Sequence, residues 1–264
     1  MSVLERNNVN VRGSGEQPIL FAHGFGCDQQ MFRLITPAFE DDHKLVLFDH
    51  VGAGKSDLSA YDPSKYASLQ GYADDVLEII EELDLKDVIF VGHSVSSMIG
   101  VLASLKAPER FSRLILLGPS PKYINDGDYE GGFTREGVDE LLDFLEKNHL
   151  GWSAAMAPAI MGYPDKPELS AELENSFCAT DPEIAIKFAR VTFLSDNRKD
   201  LANVSVPSLI LQSAEDVIAP PAVGDYCHEH LPESELVVLE AYGHCAHISD
   251  PDKTIAAIKD YLNH

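Results

Sequence analysis

Residues 88–102 carry the pattern that most constrains the fold of this chain. The apolar run VIFV at 88–91 is followed by GHSVS at 92–96 and then by SMIGVL at 97–102. A short β-branched run, a tight turn and an apolar helical pattern predict that Ser94 lies on a strained strand-to-helix bend. Its hydroxyl would then stand clear of the backbone beside a helix N-terminus. The pattern is typical of a G-x-S-x-G nucleophile elbow, with Ser96 as the small residue at the last position.

Further apolar runs of strand length alternate with helical patterns along the chain. The runs lie at 18–22, 45–48, 88–91, 114–117, 209–211 and 236–239. The clearest helical pattern spans 69–83, where the apolar side chains fall on one face. Continuous apolar runs suit a mostly parallel sheet covered on both faces, and their alternation with helices predicts a doubly wound α/β fold.

The alternation breaks in residues 121–200, which show helical periods and no convincing strand. The helical periods lie at 135–148, 152–161, 167–177 and 182–194. We therefore predict that residues 1–120 and 201–264 form one α/β core. Residues 121–200 would form a lid of four helices, inserted after the sixth strand.

Composition restricts the partners and the location of the protein. The 264 residues include 43 acidic and 20 basic side chains, a formal charge of −23. Nucleic acid and anionic membranes bind clustered lysine and arginine, so we expect neither as a partner. The first residues lack the apolar core of a signal peptide and no apolar run is long enough to span a bilayer, so we expect a cytoplasmic protein.

The four cysteines are scattered singly and form no C-x-x-C pair. They are Cys27, Cys178, Cys227 and Cys245. This spacing argues against structural zinc and favours reduced, mostly buried thiols. We expect no metal and no cofactor, although Cys245 would line a site built around its neighbour His244.

A serine nucleophile needs a base to remove its proton and a carboxylate to orient that base. In α/β-hydrolases the chain order is serine, acid, histidine, with each partner in a loop after a late strand. Asp216 follows the apolar run 209–211, and His244 follows the run 236–239. We therefore predict Ser94 as nucleophile, Asp216 as acid and His244 as base.

Two neighbours are rivals for these roles. Glu215 is an alternative acid, but Asp216 begins a D-x-x-x-P loop of the expected kind. His247 is an alternative base, but His244 follows a glycine at the expected loop position. We expect His247 to make a structural hydrogen bond instead.

The loop HGFG at 23–26 follows the first apolar run and suits an oxyanion hole. A tetrahedral intermediate needs two hydrogen-bond donors for its developing negative charge. One main-chain N–H comes from the residue after the nucleophile, and the other comes from a loop of this kind. We assign the oxyanion hole to Phe25 and Val95.

Two other patterns suggest different chemistry. The segment GAGKS at 52–56 resembles a phosphate-binding loop, but the required first glycine is replaced by Asp49. A D-x-x-G-x-G-x-S turn explains the segment better. Asp225, His228 and His230 are conceivable metal ligands, but a solvated helix face is the better interpretation of that spacing.

Several motifs together resemble the RsbQ-type α/β-hydrolases, bacterial stress regulators related to the plant strigolactone and karrikin receptors. The motifs are HGFGCDQ at 23–29, FDHVGAGKSD at 48–57, GHSVSSM at 92–98, GPSP at 118–121 and GHCAH at 243–247. The similarity covers nearly the whole chain, including YIND at 123–126 and FLSD at 193–196 within the predicted lid.

The resemblance implies an α/β-hydrolase core, a four-helix lid over an apolar pocket, and slow hydrolysis of small hydrophobic esters or lactones through an acyl-enzyme. It also implies stress or small-molecule signalling with a protein partner such as a regulatory phosphatase. A general carboxylesterase or lactonase without a signalling role remains the alternative. By resemblance, the pocket is lined by Phe25, His93, Tyr123, Leu141, Trp152, Met156 and Phe193.

Overall fold

A seven-stranded sheet organises the molecule. The computed structural model describes residues 1–264. The strands are β1 (Asn10–Arg12), β2 (Pro18–Ala22), β3 (Lys44–Leu47), β4 (Val88–His93), β5 (Phe111–Leu117), β6 (Ser208–Glu215) and β7 (Ser234–Tyr242). Their order is β1-β3-β2-β4-β5-β6-β7, with β1 antiparallel to β3 and all other pairs parallel. The carboxyl ends of β2 to β7 therefore meet at one edge of the sheet.

Burial explains which strands the sequence reveals. Every residue of β2 and β4 is buried, because helices cover both faces of the sheet there. The six predicted strands are present, and each contains its apolar run or most of it. The additional strand β1 is three exposed residues long and pairs at the sheet edge, so it has no apolar signal.

Eleven α-helices connect and cover the strands. They are α1 (Val3–Arg6), α2 (Leu69–Glu82), α3 (Val95–Lys106), α4 (Arg135–Lys147), α5 (His149–Met161), α6 (Pro167–Ala179), α7 (Pro182–Phe193), α8 (Arg198–Leu201), α9 (Pro221–His230), α10 (Ala246–Ser249) and α11 (Pro251–Leu262). Short 3-10 turns lie at Gln29–Phe32, Thr36–Ala38, Leu58–Ala60, Lys65–Ala67 and Pro108–Arg110. Every helix is too short or too polar to cross a bilayer.

Helices α4 to α7 lie between β5 and β6, and we call them the helical insertion. All four lie within residues 121–200, and each is within a few residues of its predicted range. The prediction that they follow the sixth strand is wrong, because they follow the fifth of seven. A single short strand, β1, precedes β2. Five strands therefore precede the insertion, one fewer than predicted.

Local side-chain caps determine where three of these helices begin. The Thr134 hydroxyl accepts from the Gly137 N–H at 3.0 Å before α4. The Asn148 amide oxygen accepts from the Gly151 N–H at 3.0 Å before α5. The Asp181 carboxylate accepts two N–H groups at the start of α7. Such caps satisfy helix donors that have no intrahelical partner.

Three clusters of buried side chains stabilise the fold. The first packs α2 and α3 against one face of the sheet, and the second packs α11 and the Gln29–Phe32 turn against the other. The third joins the helical insertion to loops at the carboxyl edge of the sheet. It contains Trp152 and Phe177 from the insertion together with Cys27 and Cys245 from the core loops. The insertion is therefore seated on the edge where the predicted site residues lie.

Candidate active site

Ser94 occupies the bend between β4 and α3. Its backbone has φ +58° and ψ −124°, a region that residues other than glycine rarely adopt. The bend is held by the Ser94 N–H, which donates to the Leu117 carbonyl at 2.8 Å, and by the Ser97 N–H, which donates to the Ser94 carbonyl at 2.9 Å. A Cβ on Gly92 would lie 2.5 Å from the Ser96 carbonyl oxygen, so the turn needs glycine there.

Ser94, His244 and Asp216 form one hydrogen-bonded chain. His244 Nε2 lies 2.7 Å from Ser94 Oγ, and His244 Nδ1 lies 2.6 Å from Asp216 Oδ2. Each of the three residues is 6% exposed. Because a carboxylate accepts, it holds the proton on Nδ1 and leaves the Nε2 lone pair directed at the serine hydroxyl. The hydroxyl is therefore hydrogen-bonded to a base that can take its proton.

The carboxylate of Asp216 is fixed by its own loop. Its Oδ1 accepts from the N–H groups of Ile218 at 2.8 Å and Ala219 at 3.1 Å. The other oxygen faces His244. Glu215, the rival acid, has an exposed side chain and makes no bond to the histidine. Glu215, the last residue of β6, is exposed to solvent, whereas the loop that follows turns Asp216 toward the histidine.

The helical insertion takes part in positioning His244. The His244 N–H donates to the Ile160 carbonyl at the end of α5, at 2.7 Å. The His244 carbonyl accepts from His93 Nε2 at 3.0 Å. Gly243 has φ +73°, and a Cβ there would lie 2.1 Å from the Met161 carbonyl oxygen. The loop approaches α5 this closely because Gly243 has no side chain.

His247 does not compete for the role of base. It is 1% exposed and packs beside the rings of His93 at 4.4 Å and Phe32 at 5.3 Å. The prediction that His247 makes a structural hydrogen bond is wrong, because neither of its ring nitrogens has a hydrogen-bond partner. The α10 turn places the ring among aromatic side chains rather than backbone carbonyls. Burial, together with the nearby His244, lowers the pKa of His247 to about 3 and keeps it neutral.

The predicted oxyanion donors both lack an acceptor in the protein. Val95 is the first residue of α3, so its N–H has no intrahelical carbonyl to bond. The Phe25 N–H, in the loop after β2, makes no hydrogen bond either. Phe25 also lines the cavity that contains Ser94. Both N–H groups are thus available for an acceptor atom of a substrate.

An apolar cavity lies above Ser94, between the sheet edge and the insertion. Of its 15 lining residues 11 are hydrophobic, and its free volume is about 30 Å³, room for very little beyond a water molecule or two. Six of the seven predicted pocket residues line it: Phe25, His93, Tyr123, Trp152, Met156 and Phe193. The remaining lining residues are Ser94, His244, Cys27, Ile160, Leu173, Phe177, Thr192, Ile218 and Cys245.

Leu141 is the predicted pocket residue that does not line the cavity. It lies on α4, which packs against α5 and α7 and makes no comparable contact with the sheet. Its side chain is partly buried against the outer part of the third cluster. Sequence reasoning missed Phe177 on α6, although the apolar face of that helix would have been the signal. Cys245 lines the cavity as expected.

Other polar groups at the cavity are neutral. The Tyr123 hydroxyl lies 3.5 Å from Ser94 Oγ, and burial raises the pKa of Tyr123 to about 12. Burial also raises the pKa of the Cys27 and Cys245 thiols above the usual cysteine value. Because the thiolate is the reactive form of cysteine, neither thiol competes with Ser94 as a nucleophile.

The segment that resembles a phosphate-binding loop is built around a carboxylate. Asp49 accepts from the N–H groups of Gln29 and Lys55, each at 2.9 Å, and the Ser56 hydroxyl accepts from the Gly52 N–H at 3.0 Å. An acidic side chain at the centre of the turn repels phosphate, which supports the predicted turn. No group of three or more histidine, cysteine or acidic side chains is placed to hold a metal ion.

Comparisons with known proteins agree with this geometry. The model of the alpha/beta hydrolase fold family matches residues 17–251. The chain is 39% identical to the karrikin insensitive 2 receptor CA of Petunia hybrida, covering 99% of this chain and 97% of that protein. It is 38% identical to the strigolactone esterase D14 of Arabidopsis thaliana, covering 95% and 94%.

A solved structure extends the comparison. A hydrolase from Oleispira antarctica superposes with a TM-score of 0.97 at 44% identity, covering 99% of this chain and 96% of that one. The match to the family model, the similar relatives and the Ser94–His244–Asp216 chain lead to one conclusion. The chain belongs to the alpha/beta hydrolase fold family.

Proposed function

We propose that this protein is a serine hydrolase that cleaves small hydrophobic esters or lactones through an acyl-enzyme. The observation that carries the proposal is the Ser94–His244–Asp216 hydrogen-bonded chain at the base of an apolar cavity. Its relatives include proteins named as esterases and as a lactonase. The arrangement supplies a nucleophile, a base and an orienting acid at hydrogen-bonding distance.

In the first half of the reaction, Ser94 Oγ attacks the ester carbonyl while its proton passes to His244 Nε2. The imidazolium that forms is stabilised by Asp216, which lies 2.6 Å from Nδ1. The carbonyl oxygen becomes an oxyanion that the N–H groups of Phe25 and Val95 would bind. Collapse of the intermediate expels the alcohol, which takes the proton from His244 and leaves an acyl group on Ser94.

In the second half, water attacks the acyl-enzyme. His244 now takes the proton from water and returns it to Ser94 as the acid is released. For a lactone, the alcohol and acid are two ends of the same opened molecule. No step requires a metal or cofactor beyond these residues.

The cavity supports a small, hydrophobic acyl group. Most of the lining is aromatic or aliphatic, and the polar side chains are concentrated around Ser94. The free volume of about 30 Å³ has room for little beyond a water molecule or two, so an acyl group enters only if the insertion moves, and a longer chain requires a larger movement. We therefore propose that the helical insertion acts as a lid and that short acyl groups are preferred.

The test is hydrolysis of p-nitrophenyl acetate by matched alanine variants. Ser94→Ala should lower the rate by about 10⁵-fold or more, because triad residues act as a unit. Ser104→Ala is the control: Ser104 is also buried and lies on α3, the helix that Ser94 precedes, but its hydroxyl bonds only the Val101 carbonyl. A Ser94→Ala protein with the wild-type rate would refute the proposal.

The histidines offer a second pair of variants. His244→Ala should abolish hydrolysis, whereas His247→Ala should retain it, since His247 contacts neither Ser94 nor the cavity. Circular dichroism and thermal unfolding would establish that both variants are folded. The opposite pattern would assign the role of base to His247.

Signalling is a second candidate function, favoured by the 39% identity to a karrikin insensitive receptor. The resemblance to the RsbQ-type regulators adds a protein partner such as a regulatory phosphatase, in the cytoplasm. Turnover of a butenolide panel and capture of that phosphatase would be measured with wild type and Ser94→Ala. Slow turnover with ligand-dependent capture would support signalling, and fast turnover without capture would support a plain carboxylesterase.

A further inference from the structure

A closed ring of hydrogen bonds joins two loops and the first turn of α3 beneath the active site. The His50 N–H donates to His23 Nε2 at 3.1 Å, and His50 Nε2 lies 2.8 Å from Ser96 Oγ. Ser96 Oγ in turn donates to the His23 carbonyl at 2.5 Å. All three residues are completely buried. The ring links the carboxyl ends of β2 and β3 to the first turn of α3, which follows β4.

The direction of every bond in the ring follows from the groups involved. A carbonyl oxygen only accepts, so the Ser96 hydroxyl proton is directed at His23 and Ser96 Oγ accepts from the His50 Nε2–H. His23 Nδ1 faces the Gly24 carbonyl at 2.9 Å and carries the other ring proton, which leaves Nε2 free to accept. His23 therefore carries a single ring proton and is neutral. Burial lowers the pKa of both His23 and His50, which keeps the His50 ring neutral as well.

The ring contacts both sides of the proposed oxyanion hole. The His23 carbonyl lies two residues before Phe25, and Ser96 directly follows Val95. Between them, Gly24 lies so close to the elbow that a Cβ there would be 2.7 Å from His93 Nδ1. The Ser96 hydroxyl thus forms a hydrogen bond between the segment that carries Phe25, one proposed oxyanion donor, and the helix that carries Val95, the other.

We propose that Ser96 is a positioning residue that sets the spacing of the Phe25 and Val95 N–H groups. This inference rests on the proposed function, and it gives the irregular last position of the elbow a role. A glycine at this position would have no hydroxyl to bond His23. Ser96 does not line the cavity, so its effect on a substrate passes through the two donors.

This role predicts a particular kinetic signature. Donors that are misplaced by a fraction of an ångström still allow substrate to bind, but they stabilise the oxyanion less well. Ser96→Ala should lower kcat by about ten- to a hundredfold, below the roughly 10²–10³-fold cost of deleting a donor, while KM stays nearly constant. The substitution should therefore weaken stabilisation of the transition state and leave substrate binding unchanged.

A trifluoromethyl ketone provides the second readout. Ser94 Oγ adds to its carbonyl carbon, the serine proton passes to His244, and the carbonyl electron pair becomes an oxyanion in the hole. Ser96→Ala should weaken this inhibitor by the same factor as it lowers kcat. If the substitution only reduced the amount of folded enzyme, apparent kcat would fall while the inhibition constant of the remaining active enzyme stayed unchanged.

Two further variants complete the experiment. Ser104→Ala removes a buried hydroxyl from the same helix and should change neither quantity. Ser96→Cys keeps a donor at this position on a slightly larger side chain, and the S–H group is a weaker donor than a hydroxyl. It should give a smaller loss than alanine, and it carries the test if Ser96→Ala does not fold.

The outcomes separate this inference from the proposed function. If Ser94→Ala is inactive but Ser96→Ala and Ser96→Cys match Ser104→Ala in kcat and inhibitor affinity, the positioning role is overturned and the hydrolase stands. A rise in KM with unchanged kcat would also overturn it. If Ser94→Ala keeps the wild-type rate, the hydrolase proposal itself fails.

Discussion

Replacing Asp216 by asparagine tests how the carboxylate controls the base. Asp216 Oδ1 accepts two backbone N–H groups, from Ile218 and Ala219. The asparagine carbonyl oxygen must take that place, because an amide NH₂ there would face two donors. The NH₂ group is then directed at His244 Nδ1, where Asp216 Oδ2 lies at 2.6 Å in the wild type. His244 must accept on Nδ1 and carry its proton on Nε2, facing Ser94.

The size of the effect follows from this exchange of tautomers. When the proton of His244 is on Nε2, that nitrogen has no lone pair to accept the Ser94 hydroxyl proton. Ser94 then attacks without a general base. The equivalent substitution in a serine protease costs about 10⁴ in kcat. At about 1.4 kcal/mol for each factor of ten, that is about 5 kcal/mol of transition-state stabilisation. The fold should survive, because asparagine has the same shape and both backbone N–H groups keep their acceptor.

The assay is single-turnover hydrolysis of p-nitrophenyl acetate, with thermal unfolding as a check on the fold. Glu215→Gln is the matched control, since it makes the same chemical change at the neighbouring, exposed acid. We expect less than about a twofold change in rate for that variant, as is usual for surface substitutions. A folded Asp216→Asn protein within about tenfold of the wild-type rate would refute the reasoning, which requires a loss near 10⁴.

Three further predictions concern stability and selectivity. Gly243→Ala should lower the free energy of unfolding by about 3 kcal/mol, because φ is +73° and the new Cβ would lie 2.1 Å from the Met161 carbonyl oxygen. Urea titration would measure this loss beside that of Gly127→Ala, where φ is +60° but nothing lies within 4 Å of the added Cβ, so that only the smaller backbone cost remains. Equal losses of unfolding free energy in the two variants would contradict the role of the close contact. His247 has a pKa near 3 when folded, so the unfolded state, near 6.5, binds more protons between those values. The contribution of His247 to the free energy of unfolding is complete above about pH 6.5 and should fall by about 2 kcal/mol from pH 7.5 to pH 5. His247→Gln should remove this pH-dependent contribution. If the free energy of unfolding of the variant changed with pH as steeply as that of the wild type, other groups would dominate. Phe177→Val opens the cavity and should raise kcat/KM for p-nitrophenyl hexanoate relative to acetate by about tenfold, whereas an unchanged ratio would mean that Phe177 does not limit acyl length.

The sequence predicted much of the fold because its signals are local. Buried parallel strands such as β4 appear as continuous apolar runs, and the insertion helices have clear periods and capping residues. The exposed strand β1 has no such signal, because three residues at the edge of a sheet need no apolar side chain. Family resemblance predicts that Leu141 lines the pocket, but the packing of α4 on α5 and α7 places it elsewhere.

For the site, sequence patterns specify which residue types follow which strands. The order of Ser94, Asp216 and His244 followed from motifs a few residues long, each read within its own loop. The irregular Ser96 was visible as a small residue, but its partners, His23 and His50, lie far away along the chain. A hydrogen bond over that sequence separation is decided by which strands are neighbours in the sheet.

Choices between neighbouring residues in the chain depend on tertiary contacts. Glu215 and Asp216 are adjacent, yet Glu215 is exposed at the end of β6 and Asp216, in the turn that follows, is directed at His244. The sequence predicts a structural hydrogen bond for His247, but α10 buries its ring against Phe32 and His93. Local patterns specify backbone conformation, whereas the direction of a side chain and its partner depend on elements that meet only when the sheet assembles.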